Sequence, residues 1–379
     1  MNDPTFRALI YQILVIGAVI GLGWYLISNT LENLGRQAIA TGFDFLDREA
    51  SFGIGEHLID YSPRDSYGRA FLVGVLNTLK VSVIGIIIAT ILGTLIGVAR
   101  LSTNWLLARL ASAYVEIVRN IPPLLQLFFW YAVVTEGLPA VRQALNPLPG
   151  VFLSQRGIRF PVPSADPVWG YMGFALLAGI LLSFLLRRWA TRRQDRTGQP
   201  FPKGWASLGL IVGLPALVYL AGGAPTALDM PELAGFNFRG GTSLSPEFFA
   251  ILTGLSIYTA AFIAEVVRGG ILAVSWGQTE AARALGLPNG PILRLVILPQ
   301  ALRVIVPPLT SQYLNLAKNS SLALAIGYPD LVSIANTTIN QTGQAIEGVA
   351  LIMGSFLTIS LSISLFMNWY NKRIALVER

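Results

Sequence analysis

The chain has 379 residues, 53% of them hydrophobic and only 12% charged, with 27 Lys and Arg against 20 Asp and Glu. A soluble domain carries roughly 25% charged residues to keep its surface hydrated, so this composition excludes a soluble enzyme and points to a polytopic membrane protein. The net charge of +7 falls on residues that flank apolar runs, which excludes a nucleic-acid binder and reads as membrane topology.

There is no cysteine, which excludes disulfides, thiolate zinc sites, iron–sulfur clusters and Cys nucleophiles. The one histidine, His57, lies between Glu56 and Asp60 in a polar stretch and reads as a solvated loop residue rather than a metal ligand.

A helix needs about 20 apolar residues to cross the hydrocarbon, because every backbone amide must be paired where water is absent. Eight segments qualify: Ala8 to Ser28, Ala70 to Val98, Leu106 to Thr135, Pro167 to Leu186, Trp205 to Gly222, Glu247 to Leu272, Val304 to Ile326 and Gly348 to Tyr370. The first lies in the uncharged run Ala8 to Leu31, longer than the roughly 7–15 residue core of a signal peptide, and is expected to remain as an anchor. The second, third, sixth and seventh carry charges within them: Lys80; Glu116 and Arg119; Glu265 and Arg268; Lys318.

Short basic loops stay in the cytoplasm. Residues 187–203 hold Arg187, Arg188, Arg192, Arg193, Arg196 and Lys203 against Asp195, a net of +5, so this loop is expected inside. Counting outward puts both termini inside, with Lys372, Arg373 and Arg379 on the tail, and puts the acidic first loop, net −3, outside. The turn from Ala273 to Arg303, net +2, is then cytoplasmic.

That turn reads as a short helix-turn-helix knob. Ser275 with Gln278 fits a capping box, Glu280 to Leu285 is strong helix sequence, and Gly286 before Pro288 is a stop signal. A second short element is expected to open at Asn289-Gly290-Pro291 and to end before Leu298-Pro299. Ala281, Ala282 and Leu285 are expected on one face, suited to docking in another protein's groove. From composition alone, a packed cytoplasmic loop is an equally good reading.

Glu280-Ala281-Ala282, three residues, Gly286, nine residues, Val296, one residue and Leu298-Pro299 resembles the EAA loop of ATP-binding cassette (ABC) importer permeases, with Val296 where that pattern has isoleucine. Gly74 and Asn77-Thr78-Leu79 resemble the start of the core in the polar amino acid (histidine/glutamine-type) permease family, and Arg119-Asn120-Ile121-Pro122 stands where the family has Arg-Gly-Thr-Pro. Ala261, Glu265, Arg268 and Gly269-Gly270 resemble its Ala-Tyr-x-x-Glu-x-x-Arg-Gly-Gly run, with Tyr258 farther from Glu265 than the family's tyrosine. Pro299 to Arg303, Pro307-Pro308 and Lys318 to Leu322 resemble the segment after the loop.

The resemblance covers about half the chain and implies an all-α polytopic membrane protein: about eight transmembrane helices, a type I ABC importer permease core and a cytoplasmic coupling helix. Residues 1–69 read as an extra helix and periplasmic loop, 70–136 as the first part of the core, 137–245 as an insertion with two extra helices, and 246–379 as the second part, with the EAA loop at 273–303. The additions look like the enlarged permeases of general L-amino acid importers. The resemblance further implies a multi-pass subunit of the bacterial inner membrane, a second homologous permease completing a heterodimer, two ATPase subunits on the EAA loops, and a periplasmic binding protein delivering an L-amino acid. The sequence lacks a Gly-x-x-x-x-Gly-Lys-Ser/Thr phosphate cradle, so ATP and Mg are expected on the partner ATPases and no cofactor on this chain.

Ionisable residues at membrane depth usually face protein or water. Glu265, read as mid-span, can meet a substrate ammonium, and Arg268 a substrate carboxylate, or the two can form an internal pair. Glu116 and Arg119 suggest a structural pair just before a kink at Pro122-Pro123. Lys318, near Asn315, Ser320 and Ser321, either snorkels to an interface or lines the pathway. Gly17-x-x-x-Gly21 and Gly93-x-x-x-Gly97 read as helix-packing sites. A secondary transporter driven by an ion gradient is the rival class, but the halves lack the paired inverted repeat such proteins usually carry.

Overall fold

The computed structural model describes residues 4–36 and 42–374; Arg379, assigned above to the cytoplasmic tail, lies outside the described residues. The chain forms two compact units, one built from residues up to 132 together with those from 247 onward, the other from Val133–Pro246. Seven described helices are long and apolar enough to cross a membrane, or eight if one bent pair counts as a single span.

The first unit contains α1 (Pro4–Arg36), α2 (Tyr67–Ala99), α3 (Trp105–Asn120) and most of α4 (Pro123–Thr135). Its central strut is α2, whose buried Val81, Gly85, Ala89, Gly93 and Gly97 recur every fourth residue and form one stripe. A Cβ at Gly93 would lie 2.6 Å from that of Ile263, and one at Gly97 2.7 Å from the Ala264 carbonyl oxygen. The two helices touch backbone to backbone there, as small residues allow in a membrane, where dispersion and not water expulsion drives helix packing. Gly17 and Gly21 differ: nothing approaches either within 4 Å, so the packing read into that pair is not made, and α1 presents apolar side chains all round.

The third expected span is broken rather than kinked. α3 and α4 meet at 106°, because Pro122 and Pro123 lack amide donors and force the preceding Ile121 into an extended conformation (φ −99°, ψ 126°). The carbonyls freed at Val118 and Ile121 accept from the Gln126 side chain at 2.9 and 3.0 Å, which satisfies them away from water.

The seventh span is longer than expected. Beyond α7 (Pro246–Leu272) and the short α8 (Trp276–Ala284), helical structure runs unbroken over Asn289–Ile326. It comprises α9 (Asn289–Pro291), a π-helical stretch Ile292–Ile297, α10 (Leu298–Asn319) and a 3-10 stretch Ser320–Ile326. The second short element therefore does not end before Leu298-Pro299: the wide π turn accommodates the missing amide of Pro299 without stopping the helix. α11 (Leu331–Thr342) and α12 (Ala345–Ile374) complete this unit.

The second unit pairs α5 (Pro167–Thr197) with α6 (Lys203–Ala221). They approach closely at Gly179, where a Cβ would sit 2.6 Å from the Leu210 carbonyl oxygen. α5 outruns the expected end at Leu186 by about three turns. Eight short strands, invisible to periodicity because none exceeds four residues, occupy the remainder: β1 (Leu145–Leu148), β2 (Val151–Ser154), β3 (Gly157–Phe160), β4 (Val162–Pro163), β5 (Leu228–Asp229), β6 (Glu232–Ala234), β7 (Asn237–Arg239) and β8 (Thr242–Leu244). The order β1-β2-β3-β8 makes one antiparallel sheet, and β4 with β5 and β6 with β7 form separate pairs. Gly235 (φ +67°) supplies the left-handed residue that closes the β6–β7 hairpin.

Candidate functional site

Ser275 is the N-cap of α8, but its side chain accepts no hydrogen bond, so the capping box is not formed. The Gln278 amide reaches the Ser275 carbonyl at 3.0 Å instead, and the Gln278 side chain accepts from Gln300 of α10 at 3.3 Å, spending it on tying the short helix to the long one. Gly286 ends the element as expected, in a left-handed conformation (φ +77°) with its amide on the Arg283 carbonyl at 2.9 Å.

The faces of α8 divide differently from the expectation. Thr279 and Ala282 are buried toward the chain itself, as is Ile292 of the π stretch, whereas Ala281, Glu280 and Gly286 are exposed. Ala282 therefore lies on the inner face, since positions 279 and 282 share one side of a helix and 281 and 285 another. Leu285 is 82% exposed and Trp276 65%, with the Trp276 Nε1 donating to Glu280 Oε1 at 3.0 Å. An exposed leucine at the C-terminal end and an exposed tryptophan at the N-terminal end of a short helix, whose inner face is fixed to a 38-residue helical rod, make a rigid, apolar handle. Leu298 is 42% exposed and Pro299 half-buried where that rod passes from π to α geometry.

A second constellation gathers at Glu265, two turns from the end of α7 and so nearer that end than mid-span. Arg268 holds Glu265 Oε1 at 2.6 Å, Arg100 at the end of α2 pairs with Oε2, and Arg119 at the end of α3 stands 4.0 Å from the same oxygen. Arg119 also lies over the Phe262 ring, 5.0 Å from its centroid, and so turns to Glu265 rather than to Glu116. Three guanidinium groups on three helices converge on one carboxylate, leaving the cluster net positive. Both oxygens of Glu265 are engaged, and Arg119 is the most open of the three arginines, its side chain 41% exposed. Neither Arg100 nor Phe262 was singled out from the sequence; the signal for Phe262 was its place three residues before Glu265, beside Ala261.

The third group lies on α10. Ser311, Asn315 and Lys318 are exposed at three- and four-residue spacing, one face of the helix. Lys318 has no carboxylate partner among the described residues. Ser321 is half-buried and Ser320 buried, and each spends its hydroxyl on its own helix, on Lys318 O at 2.8 Å and Ala317 O at 2.7 Å. The structure thus groups Asn315 with Lys318 and turns Ser320 away.

A buried polar knot forms where the first loop meets α2, α7 and α11. Asn77 donates to the carbonyls of Glu56 and Pro329 at 2.8 and 2.9 Å. Lys80 pairs with Glu56 at 2.5 Å and sits over the Phe248 ring at 4.0 Å. Asp330, fully buried, caps α11 through the Ser333 amide at 2.8 Å. Burial drives its carboxyl up to about 7, against the lowering pull of those backbone amides, and pushes the neighbouring Tyr328 phenol up as well. The described residues include no acid and histidine cluster suited to a metal ion.

Among the described residues, apolar helices long enough to cross a membrane, together with one sharply bent pair, define a polytopic membrane protein. Residues 207–376 match the family described as binding-protein-dependent transport system inner membrane component. The whole chain is 52% identical to the General L-amino acid transport system permease protein AapQ of Rhizobium johnstonii, over 95% of that protein. It is likewise 55% identical to the Putative amino-acid ABC transporter permease protein YhdX of Escherichia coli, over 96% of it. Against the Glutamate/glutamine/aspartate/asparagine transport system permease protein BztB of Rhodobacter capsulatus the identity is 43%, again over the whole chain and 96% of the relative.

The chain belongs to the ABC importer permease family. It has that family's type I permease fold and is a multi-pass transport component rather than an enzyme, with ATP hydrolysis on partner subunits and a binding protein as a further partner. The relatives lend no support to the secondary-transporter alternative.

Proposed function

We propose that this permease carries L-amino acids from a periplasmic binding protein to the cytoplasm as one half of a heterodimeric pore in the bacterial inner membrane, with both termini cytoplasmic and one of the two ATPases docked on its α8, the other on the EAA loop of the second permease. The observation that carries the coupling reading is the handle: Leu285, 82% exposed, on a helix whose other face is locked to the rod that continues into the membrane. A leucine at that exposure contributes nothing to this chain's own packing, and an apolar knob on a rigid base suits a partner groove. Glu280, Ala281 and Gly286 complete that surface, and Leu298 and Pro299 form the joint through which its movement reaches α10; Ala282 holds the knob to its base.

The arginine-rimmed Glu265 closes the ends of α2, α3 and α7 in this state, with Pro122 and Pro123 setting the bend that brings Arg119 to it. Because both carboxylate oxygens are engaged, opening requires these pairs to exchange partners, and Arg119 is the cation open to a substrate carboxylate. Asn315 and Lys318 form the pathway face of α10, since an unpaired ammonium on a membrane helix faces water or protein rather than lipid; Ser321 borders it.

The test is vanadate-sensitive uptake of labelled amino acids in vesicles holding the complex, with ATPase retention measured on the same preparation. Leu285→Asp is expected to leave the permease folded, release the ATPases and reduce uptake at least tenfold. Retained ATPases with unchanged uptake would remove the docking assignment, and uptake that follows an ion gradient would remove the importer reading.

A further inference from the structure

α5 is 31 residues long, about 46 Å, against a hydrocarbon core of about 30 Å. Its last three turns therefore pass the acyl region and enter the headgroup layer. These turns carry Arg188, Arg192 and Arg196, four residues apart and so in one line over about 12 Å of the helix. Excess cytoplasmic charge for topology needs only number. The alignment is an additional property.

Three observations fix what this line faces. Gly179, Ser183 and Ala190 are buried and Arg187 donates to Ser207 of α6 at 3.0 Å, which marks the side of α5 turned to α6. At 100° per residue, Arg188, Arg192 and Arg196 lie on the opposite side. Above them on that side are Leu177, Leu181 and Leu185, exposed at 64, 60 and 50%, an apolar stripe that meets acyl chains. Arg188, Arg192 and Arg196 have no carboxylate partner among the described residues, and the one nearby acid, Asp195, pairs with none of them. Arg188 lies over the Phe184 ring at 4.5 Å and the adjacent Arg193 over Trp189 at 5.6 Å, aromatic residues at the level where membrane proteins place their interfacial belts.

A face that touches lipid tails and then presents three guanidinium groups one turn apart, none of them paired with a carboxylate, fits lipid phosphates. We propose that the Arg188, Arg192 and Arg196 line of α5 is a binding site for anionic phospholipid headgroups of the cytoplasmic leaflet, which anchors the α5–α6 pair to its surrounding lipid. The leaflet rests on the cytoplasmic placement of residues 187–203; the lipid chemistry does not.

The experiment titrates dioctanoyl phosphatidylglycerol into the full permease complex in mild detergent, with bound lipid counted by native mass spectrometry. Replacing all three with Gln (R188Q/R192Q/R196Q) is expected to weaken binding about fivefold per arginine, on the order of a hundredfold together, with an unchanged melting temperature. The triple Lys variant is expected to retain most of the binding. Equal affinity in the Gln variant, or equally tight binding of dioctanoyl phosphatidylcholine to the wild type, overturns the proposal. So does loss of ATPase subunits from the Gln variant with phosphatidylglycerol retained, which would assign the line to a protein partner. Because the chain has no cysteine, Gln199→Cys reports sidedness: labelling from the cytoplasm is expected, and labelling only from outside overturns the leaflet assignment even where lipid binding persists.

Discussion

α6 and α7 have the same mean hydropathy over their most apolar stretches, yet 61% of that stretch is buried in α7 and 6% in α6. Hydropathy reports that a segment can leave water; it does not report whether lipid or protein replaces it. What separates the two is the partner surface. α7 receives the glycine stripe of α2, with Ala260, Ile263 and Ala264 fully buried beneath it, while α6 meets only α5 closely, at Gly179 and at its own end by Gly222, and leaves Leu208, Val212 and Leu217 exposed. Protein contact in a membrane comes from backbones that approach closely, so small residues mark the core where apolar residues only mark the span.

The strongest test of that distinction is Gly93→Leu. No rotation of a leucine at this position avoids the Ile263 Cβ or the Ala260 carbonyl, which already lie 2.6 and 2.8 Å from a bare Cβ. We expect the α2–α7 pair to come apart, with more than a tenfold loss of monodisperse protein in size-exclusion chromatography. Gly17→Leu, the same change where nothing stands within 4 Å, is expected to leave the yield unaltered. Leu255→Ala, at a fully buried site in α7, is expected to cost about 3 kcal/mol.

Glu265→Gln comes next. It leaves Arg100, Arg119 and Arg268 facing one another without their shared anion, a cost of about 2 kcal/mol once the exposure of the cluster is discounted. Thermal melting of the detergent-solubilised complex measures it, and uptake is expected to fall about tenfold while the ATPases stay bound. Unchanged melting would mean that the arginines find other partners and that the carboxylate is not the hub of the three helix ends.

The buried knot at Asp330 gives a smaller effect with a definite sign. Its carboxyl is raised from an ordinary 3.8 to about 7, so between those values the folded chain keeps a proton that the unfolded chain has lost. The stability this contributes is fully present below about pH 4 and is lost as pH rises toward 7, with a slope of up to about 1.4 kcal/mol per pH unit. Melting temperatures measured from pH 5 to 8 are expected to fall with pH in the wild type and to fall less in Asp330→Asn, whose carboxamide oxygen can still cap α11. Parallel slopes in the two proteins would place the titrating group elsewhere.

Spans and handle were legible in the sequence because each is set by local chemistry: uninterrupted apolar length for α1, α5, α6 and α12, sheer length despite Lys80 for α2, and Gly286 with Pro288 for the end of α8. The joints were less legible. Pro122-Pro123 announced a kink, but a 106° break depends also on Gln126 reaching back to the orphaned carbonyls, a side-chain contact that periodicity does not contain. The turn at Pro299 was misread for the opposite reason, since a proline that ordinarily limits a helix is accommodated by a π turn. The Glu265 cluster was half visible. Arg268 is three residues away on the same helix, whereas Arg100 is 165 residues distant and is brought in only by the packing of α2 on α7. The strands of the second unit, at two to four residues, were too short to register at all.

The smallest expected effect decides how far the contrast between α6 and α7 reaches. Leu217 is 63% exposed on α6, so its side chain meets lipid in both the packed and the separated state, and truncation to alanine opens no cavity in this chain. Leu217→Ala is expected to change stability by less than about 0.5 kcal/mol, measured by melting of the full complex in nanodiscs beside Leu255→Ala. The same variant in the isolated subunit separates two causes of a larger effect. A cost that appears only in the complex would mean that another subunit covers this face of α6, so that equal hydropathy conceals an interface between proteins. A cost present in the isolated chain would mean that lipid itself packs on the α5–α6 pair with the order of a protein neighbour, and the anionic headgroups at the arginine line are where that order would begin.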